Sequence, residues 1–128
     1  DLLQFHGEES PHFCGGFGVP WLKAGRVRQG LDLIEYLRPF AAASGWLLDA
    51  WVEAYGGIGA RFDWSLVPPR LERPVVLSGG LSAENVGNAI RSVRPWAVDV
   101  STGVESAKGI KDAARIAAFI AEVRNADG

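Results

Sequence analysis

The stretch from Pro74 to Glu105 constrains the fold more than any other part of the chain. Val75-Val76-Leu77 is a short apolar run that ends in Ser78-Gly79-Gly80-Leu81. A helical pattern runs from Ser82 to about Arg94, and a second apolar run, Trp96 to Val100, ends in Ser101-Thr102-Gly103-Val104-Glu105. Short β-branched runs bounded by turn residues predict buried parallel strands. Ser82 three residues before Asn85, with Glu84 in the first turn, predicts the start of the intervening helix. Strand, glycine turn, helix, strand and glycine turn make a βαβ unit, which crosses over right-handedly.

The two glycine turns fall at the same end of neighbouring parallel strands. Glycine lets backbone N–H groups approach a ligand, and a helix N-terminus that follows adds partial positive charge, so the pair suits a phosphate. Each of Gly79, Gly80 and Gly103 taken singly reads first as a device for a tight strand-to-helix turn; it is the pair in adjacent loops that brings phosphate binding level with that reading. In (β/α)8 barrels a phosphate site commonly lies in the loops after the last two strands.

The other strands read outward from this unit. Leu2-Leu3-Gln4-Phe5 followed by His6-Gly7 is a strand with its turn, and Ser10 to Gly15 is a helix announced by Ser10-Pro11. Val19 to Ala24 is a second strand; Leu31 to about Ala43 is helical by its apolar spacing, with Pro39 ending or bending it. Gly45 to Asp49 is a third strand that ends in a carboxylate, followed by a long irregular loop from Ala50 to Arg61. Asp63 caps a short helix that Pro68-Pro69 stops, and Asp112 to about Arg124 is a last helix with Ala113, Ile116, Ala117 and Ile120 on one face. Five parallel strands alternating with helices define an α/β protein, either a doubly wound sheet or a barrel.

Composition narrows the partners. In 128 residues, 48% apolar residues and a net charge of −2 describe one ordinary globular domain, without the basic run a nucleic-acid partner requires. No apolar stretch reaches the ~18 residues of a membrane span, and the acidic N-terminus is unlike a signal peptide. One cysteine allows no internal disulfide and fits a reducing compartment, so a cytoplasmic protein is expected. Metal-ligand clusters, nucleophile triads and dinucleotide fingerprints are absent from the pattern, so no metal and no cofactor are expected.

Leu77-Ser78-Gly79-Gly80-Leu81, Glu84-Asn85-Val86 and Val98-Asp99-Val100-Ser101-Thr102-Gly103-Val104-Glu105 resemble the C-terminal motifs of the phosphoribosylanthranilate isomerases of tryptophan biosynthesis. Gly109-Ile110-Lys111-Asp112 opening the last helix, Gln4-Phe5-His6-Gly7-Glu8, Leu47-Leu48-Asp49, Gly56-Gly57-Ile58-Gly59 and Phe62-Asp63-Trp64 fit the same family in the same order. The resemblance implies a (β/α)8 TIM barrel of which this chain, as a single portion over residues 1–128, supplies about the last five βα units. Five strands cannot close such a barrel, so the remaining N-terminal strands are needed for closure.

The resemblance also implies roles. Asp49, otherwise a capping or surface aspartate, matches the family's general acid at the C-terminal end of a barrel strand. The reaction is an Amadori rearrangement of N-(5'-phosphoribosyl)anthranilate. An acid protonates the furanose ring oxygen and opens the ring to an iminium ion. A base then removes the C2 proton, and the enolamine tautomerises to the ketose. The acid must hold its proton near neutral pH, which burial against the substrate favours. Gln4, His6 and Asp99 match substrate-binding positions. Gly79, Gly80, Ser101, Thr102 and Gly103 match the phosphate-cradling turns. The family's base is a cysteine on the first barrel strand and its strand-two arginine contacts the anthranilate carboxylate; neither strand is in this chain. Cys14, in the helix after the first strand seen here, reads as a small buried hydrophobe rather than that base. Where the family commonly has Lys-Thr before Phe-Asp-Trp, this chain has Ala60-Arg61.

Two other readings accompany the isomerase. Another phosphate-binding barrel enzyme, such as an indole-glycerol-phosphate or thiamine-phosphate synthase, would place lysines or metal ligands at strand ends, and Lys23 alone stands in the strands. A non-catalytic half-barrel would bind phosphate weakly and associate through its open edges. The expected partner is a small phosphorylated substrate, with the protein a monomer or homodimer.

Overall fold

The computed structural model of the chain describes residues 1–28, 30–53, 60–62 and 64–127, with the strands at 51–53 and 60–62 described by their backbone alone. Five strands form one parallel sheet: β1 (Leu3–Phe5), β2 (Trp21–Arg26), β3 (Gly45–Asp49), β6 (Val75–Ser78) and β7 (Ala97–Val98). Their order in the sheet is their order in the chain. A doubly wound sheet reverses direction at a switch point, whereas this order is that of a barrel wall.

The register separates the two faces. Leu3, Trp21, Lys23, Gly25, Trp46, Leu48, Val75, Leu77 and Val98 share one face; Gln4, Leu22, Ala24, Arg26, Leu47, Asp49, Val76, Ser78 and Ala97 share the other. The first face is packed under helices. A Cβ on Gly25 would touch Tyr36, Leu33 and Leu37 of α2 (Leu33–Leu37), and Phe5 meets Trp21 edge-on at 6.0 Å and Phe13 of α1 (Pro11–Gly15) at 6.1 Å. Leu37, Leu48 and Leu77 are fully buried there, with Val86 and Leu81. The indole of Trp46 donates to Phe40 O at 3.1 Å, so its one polar atom is satisfied inside the core. Along the opposite face Leu22, Ala24, Asp49 and Ser78 are half-buried and Gln4 is exposed.

Local chemistry sets three of the helix boundaries. Ser10 Oγ accepts from Phe13 N–H at 3.1 Å and Pro11 takes the first position of α1. Pro39 cannot continue an α-helix, so α2 tightens at Arg38–Phe40 into a 3₁₀ turn. Asp112 Oδ1 accepts from Ala114 and Arg115 N–H and starts α4 (Ala113–Asp127).

Several expectations are corrected. The helix expected from Ser82 is α3 (Val86–Val93): Asn85 Oδ1 takes the Ser82 N–H at 2.8 Å and holds residues 82–85 as a turn, and Arg94 closes the helix in the left-handed region at φ 54°. The loop after Asp49 begins and ends in an antiparallel ribbon, β4 (Trp51–Glu53) with β5 (Ala60–Phe62). The Gly56-Gly57-Ile58-Gly59 motif and the Asp63 cap lie outside the described residues; a 3₁₀ turn follows at Trp64–Leu66. Ile110 and Lys111 do not open the last helix but pair as β9 (Ile110–Lys111) with β8 (Glu105–Ala107). In α4 the buried residue is Phe119, while Ile116 and Ile120 are exposed.

Candidate active site

The C-terminal ends of β3, β6 and β7 carry a row of polar side chains. Asp49 ends β3, pairs in register with Arg26 on one side and Ser78 on the other, and is half-buried. Its carbonyl accepts from Val27 N–H at 2.8 Å, and Ser78 O accepts from Ala50 N–H at 3.0 Å, so the ladder runs to the rim on both sides of it. Ser78 Oγ donates to Asp99 Oδ2 at 3.1 Å. Asp99 N–H donates to Leu77 O at 2.9 Å, which continues β7 by one residue and brings Asp99 beside Ser78. Asp49, Ser78 and Asp99 therefore occupy three successive strand ends.

Gln4 lies on the same sheet face as Asp49, and alternation carries His6, just past β1, to that side as well. Both are exposed, and β1 is separated from β3 by one intervening strand, about 10 Å at ~4.8 Å per strand spacing. The register sets Gln4 level with Gly45, four residues before Asp49, and the position of His6 nearer the rim, so neither is placed in hydrogen-bonding reach of Asp49 by the strand pairing.

The two glycine turns are in contact. Gly79 and Gly80 hold φ of 95° and 63°, the left-handed region that a side chain disfavours. Asn85 Nδ2 donates to Gly80 O at 3.0 Å and so fastens the first turn. In the second, a Cβ on Gly103 would stand 1.8 Å from Leu81 O, so only glycine admits this approach. Residues Thr102–Val104 form a 3₁₀ turn. The second turn is pinned from the β8–β9 hairpin and from α4: Lys111 Nζ donates to Ser101 O at 3.0 Å and to Glu105 Oε2 at 2.5 Å, and Arg115 Nη1 on α4 donates to Glu105 O. The Lys111 hydrogen bond, with the Gly109 N–H bond to the same carboxyl, holds Glu105 below the ordinary carboxylate range. The expected helix N-terminus at the first turn is displaced, because α3 begins at Val86. Backbone N–H groups and the Ser101 and Thr102 hydroxyls are what the turns offer an anion.

Ser78, Arg26 and Lys111 were not singled out in the sequence. Arg26 and Ser78 pair in register with Asp49, which is the signal that could have found them; Lys111 stands on β9 in a separate hairpin, and its reach to Ser101 follows from no spacing in the sequence. Cys14 lies fully buried on α1, and burial pushes its thiol up against the lowering effect of the Lys23 charge. That environment is unsuited to a thiolate base. Among the described residues no group of three histidine, cysteine or acidic side chains could hold a metal ion, and no helix is long and apolar enough to cross a membrane.

A parallel sheet wound in chain order, helices on its outer face and a polar rim beside two touching glycine turns define a barrel-type α/β wall. The model of the N-(5'-phosphoribosyl)anthranilate (PRA) isomerase family matches residues 1–122, and the chain belongs to that family. The N-(5'-phosphoribosyl)anthranilate isomerase of Thiobacillus denitrificans is 62% identical over 125 residues, covering 97% of this chain and 61% of that protein. That of Dechloromonas aromatica is 59% identical over 127 residues, covering 99% and 61%. The solved isomerase from Thermotoga maritima superposes with a TM-score of 0.82 at 41% identity, over 97% of this chain and 62% of that one. A solved isomerase in complex with reduced 1-(o-carboxyphenylamino)-1-deoxyribulose 5-phosphate superposes with a TM-score of 0.79 at 38% identity, over 97% and 59%. The chain thus spans about three fifths of the length of the curated relatives it matches.

Proposed function

We propose that this chain carries the acid and phosphate-binding side of an isomerase site that converts N-(5'-phosphoribosyl)anthranilate to 1-(2-carboxyphenylamino)-1-deoxyribulose 5-phosphate. The observation that carries the reading is the placement of Asp49 on the central strand, between the Gln4–His6 edge and the Asp99 edge, beside the two fused glycine turns. Its share of the relatives' length and its five chain-ordered strands support its being the last five βα units of an eight-unit barrel. On this reading residues 1–128 are one portion of a single barrel domain, closed by its first three units.

The phosphate of the substrate sits on the N–H groups of Gly79, Gly80 and Gly103 and on the Ser101 and Thr102 hydroxyls, which fixes the ribose over β3. Asp49 donates its proton to the furanose oxygen as the C1–O bond breaks and the anilino nitrogen supplies its electron pair, leaving an iminium ion. Loss of the C2 proton to a base on the closing part of the barrel gives the enolamine, which tautomerises to the ketose. Asp99, hydrogen-bonded to Ser78, faces the developing positive charge and steadies it. Gln4 and His6 hold the far end of the substrate. No cofactor enters this scheme.

Turnover of N-(5'-phosphoribosyl)anthranilate by the intact protein, followed by chromatographic appearance of the ketose, tests the reading. Conversion that inorganic phosphate inhibits competitively supports it; no conversion with a folded protein contradicts it.

A further inference from the structure

Lys23 is the one buried charged residue of the described core. It lies on the helix-covered face of β2, between Trp21 and Gly25, where an apolar side chain would be cheaper to bury. Its Nζ donates to Gly7 O at 2.7 Å, stands 3.6 Å from Glu9 Oε1, and lies 4.8 Å from the centroid of the Phe40 ring. Glu9 Oε1 in turn accepts the Gly7 N–H at 2.9 Å. Both backbone groups of Gly7 are thus taken, one by the ammonium and one by its counter-ion. The residue before Gly7 is His6, whose other side is anchored by the pairing of Phe5 with Lys23 itself.

We propose that Lys23 is a positioning residue: its buried ammonium grips the Gly7 carbonyl and thereby fixes His6 on the rim that the substrate reaches. A leucine or methionine at this position would fill the same space without any hold on Gly7. The ammonium spans from the middle of β2 to the turn after β1, a connection that neither strand's own ladder supplies. The consequence for catalysis rests on the isomerase reading; the ordering of His6 rests on this geometry alone.

The test is Lys23→Met in the intact protein, read by the imidazole NMR signals of His6, with His12 on α1 as internal reference, and by steady-state kinetics. The His6 signal shifts or splits while that of His12 stays, and kcat/KM falls about tenfold or more, chiefly through a raised KM, because His6 holds substrate. A general loss of stability would not single out one histidine. An unmoved His6 signal, or a moved one in an enzyme with wild-type kcat/KM, overturns the proposal. Should Lys23→Met fail to fold, Glu9→Gln removes the counter-ion while keeping an acceptor for Gly7 N–H. It shifts the His6 signal in the same selective way, and an unmoved His6 there overturns the proposal. If the wild-type protein proves inactive, the isomerase reading fails separately, and the His6 signal alone decides for or against the clamp.

Discussion

Replacing Gly103 with alanine puts a methyl group 1.8 Å from Leu81 O, 2.9 Å from Leu81 C and 3.2 Å from Val100 Cγ2. Since Cβ atoms do not come closer than about 3.0 Å to such neighbours, the two glycine turns must separate by about 1.2 Å. Two of those three neighbours are backbone atoms, so no rotamer change relieves the clash. The second turn is also held by Lys111 and Arg115, and the first by Asn85, so neither moves without losing hydrogen bonds. Forced overpacking costs about 1–3 kcal/mol. For a chain of this size the melting temperature falls on the order of 5–15 °C. Scanning calorimetry of Gly103→Ala beside Gly15→Ala measures this. Gly15 ends α1 with no atom within 4 Å of its would-be Cβ, and alanine there is neutral or stabilises by up to about 1 kcal/mol. In a phosphate assay the Gly103 variant also loses affinity, because the N–H groups of the two turns no longer converge. A Gly103→Ala protein that melts with the wild type and binds phosphate equally well refutes the contact between the turns.

Three further outcomes follow from the same structure. Leu77→Ala, at a fully buried position in the sheet, lowers the unfolding free energy by about 2–5 kcal/mol in urea titrations; a smaller loss would mean that the site collapses on the cavity. Lys111→Met frees Ser101 and raises KM for the phosphorylated substrate about fivefold, with kcat less affected; an unchanged KM removes Lys111 from the phosphate turn. Acid lowers stability through three carboxylates held below their ordinary 4.5: Glu105 chiefly by the Lys111 hydrogen bond, Glu84 by the Ser82 hydroxyl, and Glu9 by its own backbone N–H. A group depressed in the folded state stabilises fully above its unfolded value and loses that contribution as pH falls through the folded one. Stability should therefore decline as pH drops below 4.5, and Glu105→Gln should flatten part of that decline.

The strands were legible where a short apolar run met punctuation. Gly45–Asp49 and Val75–Ser78 emerged at the expected places because each is bounded by glycine, proline or a polar terminus. Their chain order in the sheet was not legible, since repeated βα units fit a wound sheet as well as a barrel; the family resemblance pointed to the barrel. Helix faces were harder. The 113–126 segment is rich in alanine and apolar on several sides, so periodicity favoured Ile116 and Ile120, whereas packing against α3 buries Phe119. Asn85 displaced Ser82 at the start of α3 because its amide reaches both Ser82 and Gly80, a three-dimensional fit without a spacing rule.

Of the site, Asp49, Asp99 and the glycine turns stood out as strand-end residues in the family's motifs. The Ser78–Asp99 hydrogen bond joins residues 21 apart, and the Lys23–Gly7 bond residues 16 apart. Such pairs are set by sheet register and side-chain reach, which no local pattern encodes. In the sequence Lys23 counted only as the one lysine in the strands, weighed for a rival barrel enzyme; its meaning comes from the carbonyl it meets.

The central claim is that Asp49 is the acid of an isomerase site whose phosphate turns lie beside it. It is tested most directly by kcat/KM of Asp49→Asn in the intact protein, with circular dichroism and phosphate affinity as checks on the fold and the turns. Turnover falls by about 10²–10⁴-fold while phosphate affinity and the spectrum stay at wild-type values. An Asp49→Asn protein that turns over N-(5'-phosphoribosyl)anthranilate within about threefold of the wild type contradicts the account, since an amide has no such proton to give.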